Sequence, residues 1–271
     1  MILICPKCRK PLVEENGVFR CENRHSYDKA REGYVNLVLA NQKHSKVPGD
    51  DPFSLASRDA FLKKGYYDPL ADKLSELVNR LFALGARFLD AGCGTGYYLK
   101  YIVERNDKDL EYYGCDVAKK GVSLAAKSCK SVHWFVGNVF HLPFENEALD
   151  GLMSVFCPYS SEEFNRVIKK GGYVIAVTPG RNHLYQLKEI VYQNPYFNDE
   201  KGYALEGFEL IEQTNVRAQI HLDNNEDIKA LWSMMPYIHN TYYEDSQKLL
   251  SRNEAVTDID FLVSVYRKVA E

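Results

Sequence analysis

From Arg87 onward the apolar positions fall into short blocks separated by longer amphipathic stretches. Blocks at 88–90, 112–116, 132–136 and 149–156 are too short for helices and read as buried strands. Between the first three, residues 97–104 and 120–127 space their apolar positions for one helical face. Residues 166–177 read as a helix end, a Gly171-Gly172 turn and a fifth strand. Such strand–helix alternation predicts a parallel, doubly wound α/β sheet. The last quarter offers strand candidates at 208–213, 216–222 and 261–269, with a helix near 226–234. These suit an antiparallel closing hairpin. Two helices precede the alternation, at 54–64 and 70–84, the second with Leu70, Leu74, Leu77, Val78 and Leu81 on one stripe. Residues 36–57 form a connector whose clearest break is Val47-Pro48-Gly49-Asp50-Asp51-Pro52.

The first strand of the alternation ends in Asp90-Ala91-Gly92-Cys93-Gly94-Thr95-Gly96 and runs into a helix. Glycines at this spacing let backbone approach a ligand closely, and the helix start offers free N–H groups. The pattern D-x-G-x-G-x-G differs from the dinucleotide fingerprint G-x-G-x-x-G. It resembles motif I of the class I S-adenosylmethionine (SAM) methyltransferases. That resemblance implies a second acid at the end of the next strand for the ribose hydroxyls, and Asp116 stands there. It also implies an Asp or Asn after the third strand against the adenine amine, where Asn138 stands, and a segment covering the cofactor, where Tyr67 stands.

The cysteines change the picture at the N-terminus. Three of seven lie in the first 21 residues, and Cys5, Cys8, Cys21 and His25 form C-x2-C-x12-C-x3-H. Two thiolates two residues apart, joined by a second pair about a dozen residues on, make the tetrahedral set that a structural zinc takes. Four protein ligands leave no open position for catalysis. Between the pairs, Asn16-Gly17 marks a hairpin turn. This module is basic: nine Lys and Arg against five Asp and Glu through Gly49, in a chain of net charge −3. A basic zinc module on an otherwise acidic protein suits a nucleic-acid grip, and a solvated surface is the plainer alternative. No apolar run approaches the roughly 20 residues of a membrane span, and no signal-peptide core is present, so a cytoplasmic protein with reduced thiols is expected.

Taken together, Cys5-Pro6-x-Cys8 through His25, Glu32-Gly33-Tyr34-Val35-Asn36-Leu37, Pro48-Gly49-Asp50, Phe61-Leu62, Gly65, Tyr67, Pro69-Leu70, the stretch from Asp90 to Tyr98, and Thr178-Pro179-Gly180 with His183-Leu184 extend over nearly the whole chain. They resemble the large-subunit ribosomal RNA guanine-N1 methyltransferases of the RlmA (RrmA) family, which includes the TlrB branch. The resemblance implies a zinc-binding RNA-recognition domain at residues 1–35, a linker and cofactor-covering segment at 36–70, and a Rossmann-like, doubly wound, seven-stranded methyltransferase domain at 71–271. It implies Cys5, Cys8, Cys21 and His25 as ligands of one structural Zn2+ per chain. It implies SAM contacts at Tyr67, Gly94, Thr95 and His183, to which the motif adds Asp90, Gly92, Gly96, Asp116 and Asn138. The partners it implies are a 23S rRNA hairpin and a second copy of the chain. One departure is Gln186, where the family leads one to expect an acid.

The chemistry asks for alignment of a nitrogen lone pair with a sulfonium methyl, exclusion of water, and loss of the guanine N1 proton. No residue declares itself as the base. His183 has a suitable intrinsic pKa, but the resemblance makes it a cofactor contact. Tyr97, Tyr98, Phe156 and Tyr159 are candidates to stack on a splayed base. Cys157 lacks the side-chain oxygen that amino-group methyltransferases carry at its place, and reads as a buried hydrophobe rather than a nucleophile. A small-molecule methyltransferase and a non-catalytic zinc-dependent RNA-binding protein remain as alternatives from other classes.

Overall fold

A computed structural model of the chain describes residues 2–39, 52–235 and 241–269. The connector break expected at Val47-Pro48-Gly49-Asp50-Asp51 lies outside them, as do Lys43 and Lys46. The N-terminal ribbon is built on one turn. Strands β1 (Val13–Glu15) and β2 (Val18–Arg20) meet at Asn16-Gly17, both at positive φ, 52° and 78°. That geometry matches the twist of paired strands and needs small or polar residues. A third strand, β3 (Ser26–Asp28), pairs antiparallel with β2.

The large sheet follows the predicted alternation. Its members are β4 (Val35–Asn36), β5 (Arg87–Ala91), β6 (Glu111–Asp116), β7 (Val132–Val136), β8 (Leu149–Val155), β9 (Ile168–Pro179), β10 (Phe208–Leu222) and β11 (Ala255–Lys268). Their order is β10-β11-β9-β8-β5-β6-β7-β4. The stretch from β4 through β9 is parallel, and β11 lies antiparallel between β9 and β10. Helices α1 (Pro52–Leu62), α2 (Asp68–Leu81), α3 (Tyr97–Arg105), α4 (Lys119–Ser128), α5 (Ser161–Val167), α6 (Tyr185–Val191), α7 (Asn225–Ser233) and α8 (Tyr243–Leu250) complete the fold. Seven strands make the class I methyltransferase sheet, and β4 adds an eighth at its edge. Chain order reverses between β5 and β8, so a crevice opens at their C-terminal ends, where open α/β sheets bind ligands.

Besides β3 and β4, which the sequence pattern does not announce, four elements differ from the sequence expectation. The helix end and glycine turn at 166–172 are not separate from the fifth strand: β9 starts at Ile168, directly after α5. Gly171, at φ 75°, and a register shift opposite Leu149 to Gly151 absorb the turn inside the strand. The strands expected at 208–213 and 216–222 are one strand, because pairing with β11 continues through Asn215↔Leu262 and only a shift between Leu210 and Glu212 interrupts it. β11 begins six residues before the expected start, opposite Leu222. Helix α8 was not foreseen; only Ser246 and Leu249 of it are buried, too few for a readable stripe.

The zinc module is welded to the sheet rather than tethered. Ile4 N–H donates to Pro143 O (2.9 Å), Arg9 Nη2 to Phe144 O (3.0 Å), and Ile2 N–H to the Tyr113 hydroxyl (3.0 Å). Leu3, Leu12 and Phe19 share one apolar cluster with Phe135, Leu142 and Phe144. β4 then pairs with β7, Val35 against Phe135 and Asn36 against Val136. At the opposite side of the cleft, Lys64 and Tyr66, just past α1, both bond the buried Asp227 of α7, Tyr66 at 2.8 Å. This pins the segment after α1 to α7.

Gly114 in β6 lies directly under the Trp134 indole, so a Cβ there would sit inside the ring's van der Waals contact. Gly114→Ala is expected to destabilise the protein by about 1–3 kcal/mol through overpacking, read as a lower urea midpoint at unchanged slope. An unaltered midpoint would show that the indole has room to move.

Candidate functional site

The motif I turn owes its shape to close packing on every side. Gly92, Gly94 and Gly96 all adopt positive φ: 88°, 53° and 80°. Behind Gly92 lies Cys157, which a Cβ would strike. A Cβ on Gly96 would stand 2.7 Å from both Ala125 of α4 and the Trp134 ring. Gly121, in the first turn of α4, would likewise approach Gly94 O at 2.6 Å. Glycine is therefore required at three points where strand, turn and helix backbones meet. The turn is held to β6 by Gly92 and Cys93 N–H groups on Cys115 O, 2.8 and 2.9 Å.

Two carboxylates face this turn. Asp116 accepts from Gly94 N–H (2.9 Å) through one oxygen and from Ala118 N–H (2.7 Å) through the other. It thereby ties the turn to the end of β6. Asp90 is 2% exposed, and among the described residues no hydrogen bond or cation reaches its carboxylate. Burial first, and the nearby Asp116 charge second, push its pKa well above the carboxylate range. Thr95 Oγ1 is also buried without a hydrogen-bond partner among the described residues. A buried unpaired carboxylate costs stability and marks a place where a cationic ligand belongs. An orphan hydroxyl, two acids and a helix start fit a ligand that brings an ammonium group and hydroxyls, as SAM does.

Asn138 lies just past the end of β7, next to Gly137, whose N–H donates to Asp116 O (3.1 Å). Its side-chain oxygen accepts from Phe140 N–H (3.0 Å). The opposite wall comes from distant segments. Tyr67, 2% exposed, packs edge-on to Phe261 at 4.9 Å and to His183 at 6.1 Å. His183 is 3% exposed, and burial depresses its pKa to about 3. Its Nδ1 accepts from Asp260 N–H (3.2 Å), which leaves the neutral ring's proton on Nε2. A strut supports this loop: buried Lys188 donates to Asn198 Oδ1 (2.6 Å), and Asn198 Nδ2 donates to Gly180 O (3.1 Å) and His183 O (3.0 Å). Gln186, the departure noted in the sequence, donates to Asp258 Oδ2 (2.7 Å) and accepts from Asp258 N–H (2.9 Å). An acid there would oppose the Asp258 carboxylate.

Sequence reading missed Asp260, and it named Phe156 as a stacking candidate without its exposure or its backbone. Asp260, 77 residues from His183, sets its tautomer, and no local pattern announces that. Phe156, 43% exposed, sits at the end of β8 with φ 52°. Such a backbone is strained by about 1–3 kcal/mol for a bulky residue, and strain of this kind gathers at functional sites.

The second site is the thiol cluster. Ligand atoms of Cys5, Cys8, Cys21 and His25 all lie within 4.8 Å of one another. Cys8 Sγ to Cys21 Sγ is 3.6 Å, and His25 Nδ1 stands 3.5 Å from Cys5 Sγ and 3.4 Å from Cys21 Sγ. A tetrahedral zinc with ordinary bond lengths requires about 3.8 Å between sulfurs and about 3.5 Å from sulfur to nitrogen. The set therefore fits zinc. The Lys10 N–H holds Cys8 down to about 6, whereas burial pushes Cys21 up; a bound cation would deprotonate both. Tyr27 hydroxyl lies 3.2 Å from Cys5 Sγ as an outer partner.

The family model described as "RlmA, N-terminal", a zinc ribbon, matches residues 3–46, and a methyltransferase-domain model matches residues 88–172. The chain is 30% identical over 257 residues to the 23S rRNA (guanine(748)-N(1))-methyltransferase of Streptomyces fradiae, with 92% of this chain and 89% of the relative covered. It is 31% identical over 194 residues to the putative 23S rRNA (guanine-N(1)-)-methyltransferase YxjB of Bacillus subtilis, with 69% and 68% covered. A putative 23S rRNA (guanine-N(1)-)-methyltransferase of Micromonospora griseorubida is 28% identical over 279 residues, with 94% and 92% covered.

Two outcomes follow. Because Asp90 holds its proton more tightly folded than unfolded, ionising it destabilises the fold as pH rises above the ordinary carboxylate range of about 4. Without SAM, Asp90→Asn should therefore melt above wild type at pH 8, the gap narrowing toward pH 5, and should gain less from added SAM. A variant that melts lower at both pH values would take Asp90 out of this role. Chelation of the metal should lower the melting temperature of the whole chain in one transition, since the ribbon shares the β7 core. Two separate transitions would mean that the modules fold independently.

Proposed function

We propose a target and a division of labour from one premise: the chain belongs to the family of 23S rRNA (guanine-N1)-methyltransferases. It is a SAM-dependent methyltransferase acting on N1 of a guanine in 23S ribosomal RNA, with the sheet holding SAM and the ribbon holding zinc. The finer reading is that the target lies in a hairpin loop. There the pairing edge is accessible without opening a duplex.

SAM, when bound, supplies a methyl group on a sulfonium, which N1 displaces in line. In this reading Asp90 faces the cationic end, Asp116 takes the ribose hydroxyls and Asn138 faces the adenine. Gly92, Gly94, Thr95 and Gly96 supply close backbone and the helix start, while Tyr67 and His183 close the far wall. Cys5, Cys8, Cys21 and His25 hold one structural zinc. The N1 proton leaves without passing to His183, because Nδ1 is engaged by Asp260 N–H and Nε2 carries the ring's own proton. Alignment and exclusion of water then carry the rate.

The docking of the ribbon supports an RNA grip. Ile4 and Arg9 bond the loop after β7, so the module stands beside the cofactor strands at fixed distance. Of its cations, Lys10 and Lys29 are paired with Glu22 and Glu14, and Arg9 is committed to Phe144 O. Lys7, Arg20, Arg24 and Arg31 are exposed and suit phosphates. The family resemblance further suggests that two copies pair their ribbons around the hairpin. Among the described residues no helix is long and apolar enough to cross a membrane. Action on ribosomal RNA supports a cytoplasmic location.

Primer extension across 23S rRNA treated with the protein and SAM should show a new stop one nucleotide before a loop guanine, since an N1 methyl blocks pairing. No new stop, with SAM binding confirmed by calorimetry, would sink the reading.

A further inference from the structure

At the end of β8 the chain places an aromatic ring that nothing in the fold requires. Phe156 is 43% exposed, although its neighbours Val155 and Cys157 are partly buried. Its N–H is fixed on Val177 O (3.1 Å) of β9, which holds the left-handed backbone at φ 52°. The ring leans on His183 (centroids 5.9 Å, 33°) and on Phe261 (5.8 Å, 54°). One residue on, Cys157 backs against Gly92 of the motif I turn. Phe156 thus stands at the β5–β8 crevice, between the turn and the His183 wall, with part of its surface open.

Of the other aromatic candidates, Tyr97 and Tyr159 are committed elsewhere. Tyr97 gives its hydroxyl to Asp68 and packs edge-on to Tyr98 (5.0 Å, 75°). Tyr159 is stacked face to face on Tyr203 (3.8 Å, 10°), and its hydroxyl accepts from Ala204 N–H (2.8 Å). Phe140 is equally exposed, but it follows β7, with β5 and β6 between it and β8.

We propose that Phe156 is the platform on which the target guanine stacks, so that its N1 edge is presented to the methyl donor held at the motif I turn. The proposal deepens the rRNA methyltransferase reading and rests on it. Its physics is the π-face contact that single-stranded nucleic-acid sites use to hold an unstacked base. The left-handed backbone turns the ring out of the β8 core, and His183 and Phe261 stop it from folding back. Stacking reads no sequence, so Phe156 sets the plane of the base, and selection of guanine falls to other groups.

The test compares Phe156→Leu, which keeps apolar bulk, with Phe156→Tyr, which keeps the π-face, on full-length protein with zinc bound. Methyl transfer from labelled SAM to 23S rRNA and SAM affinity by calorimetry are measured for each. Phe156→Leu should lower kcat/KM for RNA about 10- to 100-fold, the loss expected of one stacked base, while SAM affinity stays within about twofold. Phe156→Tyr should keep kcat/KM within about threefold of wild type. A Phe156→Leu protein with wild-type kcat/KM overturns the proposal. So does a loss of SAM affinity matching the loss of rate, or a Phe156→Tyr protein as slow as Phe156→Leu with SAM binding intact. If wild type itself transfers no methyl to 23S rRNA, the substrate reading fails and the platform with it; wild-type transfer with an indifferent Phe156→Leu removes the platform alone.

Discussion

The Trp134 indole is the packing constraint on which the cofactor turn depends. It lies against Gly114 in the middle of β6 and against Gly96 at the start of α3, and its Nε1 donates to Cys129 O (2.8 Å) at the end of α4. One buried ring therefore fixes the distance between strand, turn and helix. Two glycines are required because that distance is too short for any Cβ. The turn they frame is what brings Gly94 N–H onto Asp116 and leaves Asp90 buried behind it.

Burying Asp90 without a partner works against stability, and the fold tolerates it because the surrounding sheet is dense. Phe88, Leu89 and Ala91 beside it in β5 are all fully buried, and β5 is paired on both sides by β6 and β8. A carboxylate in such a place is preorganised for a cation: among the described residues no cation reaches it, and its desolvation is complete before a ligand arrives. The opposite wall is preorganised by other means. Lys188, whose pKa burial lowers to about 8, donates to Tyr196 O (3.2 Å) and to Asn198 Oδ1 (2.6 Å). That strut positions the loop bearing His183, whose tautomer Asp260 N–H then sets.

The ribbon and the sheet form one mechanical unit. β4 extends the sheet past β7, Leu37 N–H continues the ladder onto Val136 O (2.9 Å), and Lys130 Nζ bonds Glu32 O (2.6 Å). The ribbon is thereby fixed relative to β6, which ends in Asp116, and to β7, which Asn138 follows. Metal binding thereby supports not only the small ribbon, which is too short to bury a core of its own, but also the edge against which β7 packs.

What the sequence determined alone was everything that depends on neighbours in the chain. The strand–glycine–helix run from Arg87, the acid at the end of each of the first two strands, the Asn16-Gly17 turn and the Cys/His spacing are local patterns with local causes. They marked a glycine turn at positive φ and a Cys/His set whose ligand atoms the structure brings within 4.8 Å of one another. Tertiary structure decided what depends on residues far apart. It joined β4 to β7, made one strand of 208–222 because β11 offered a continuous partner, and absorbed the Gly171 turn into β9. It gave His183 its tautomer through Asp260, matched Gln186 to Asp258, and turned Phe156 outward against two rings from other segments. Periodicity records which face of an element is buried; it carries no record of which distant element covers that face, and the site's far wall consists of such contacts.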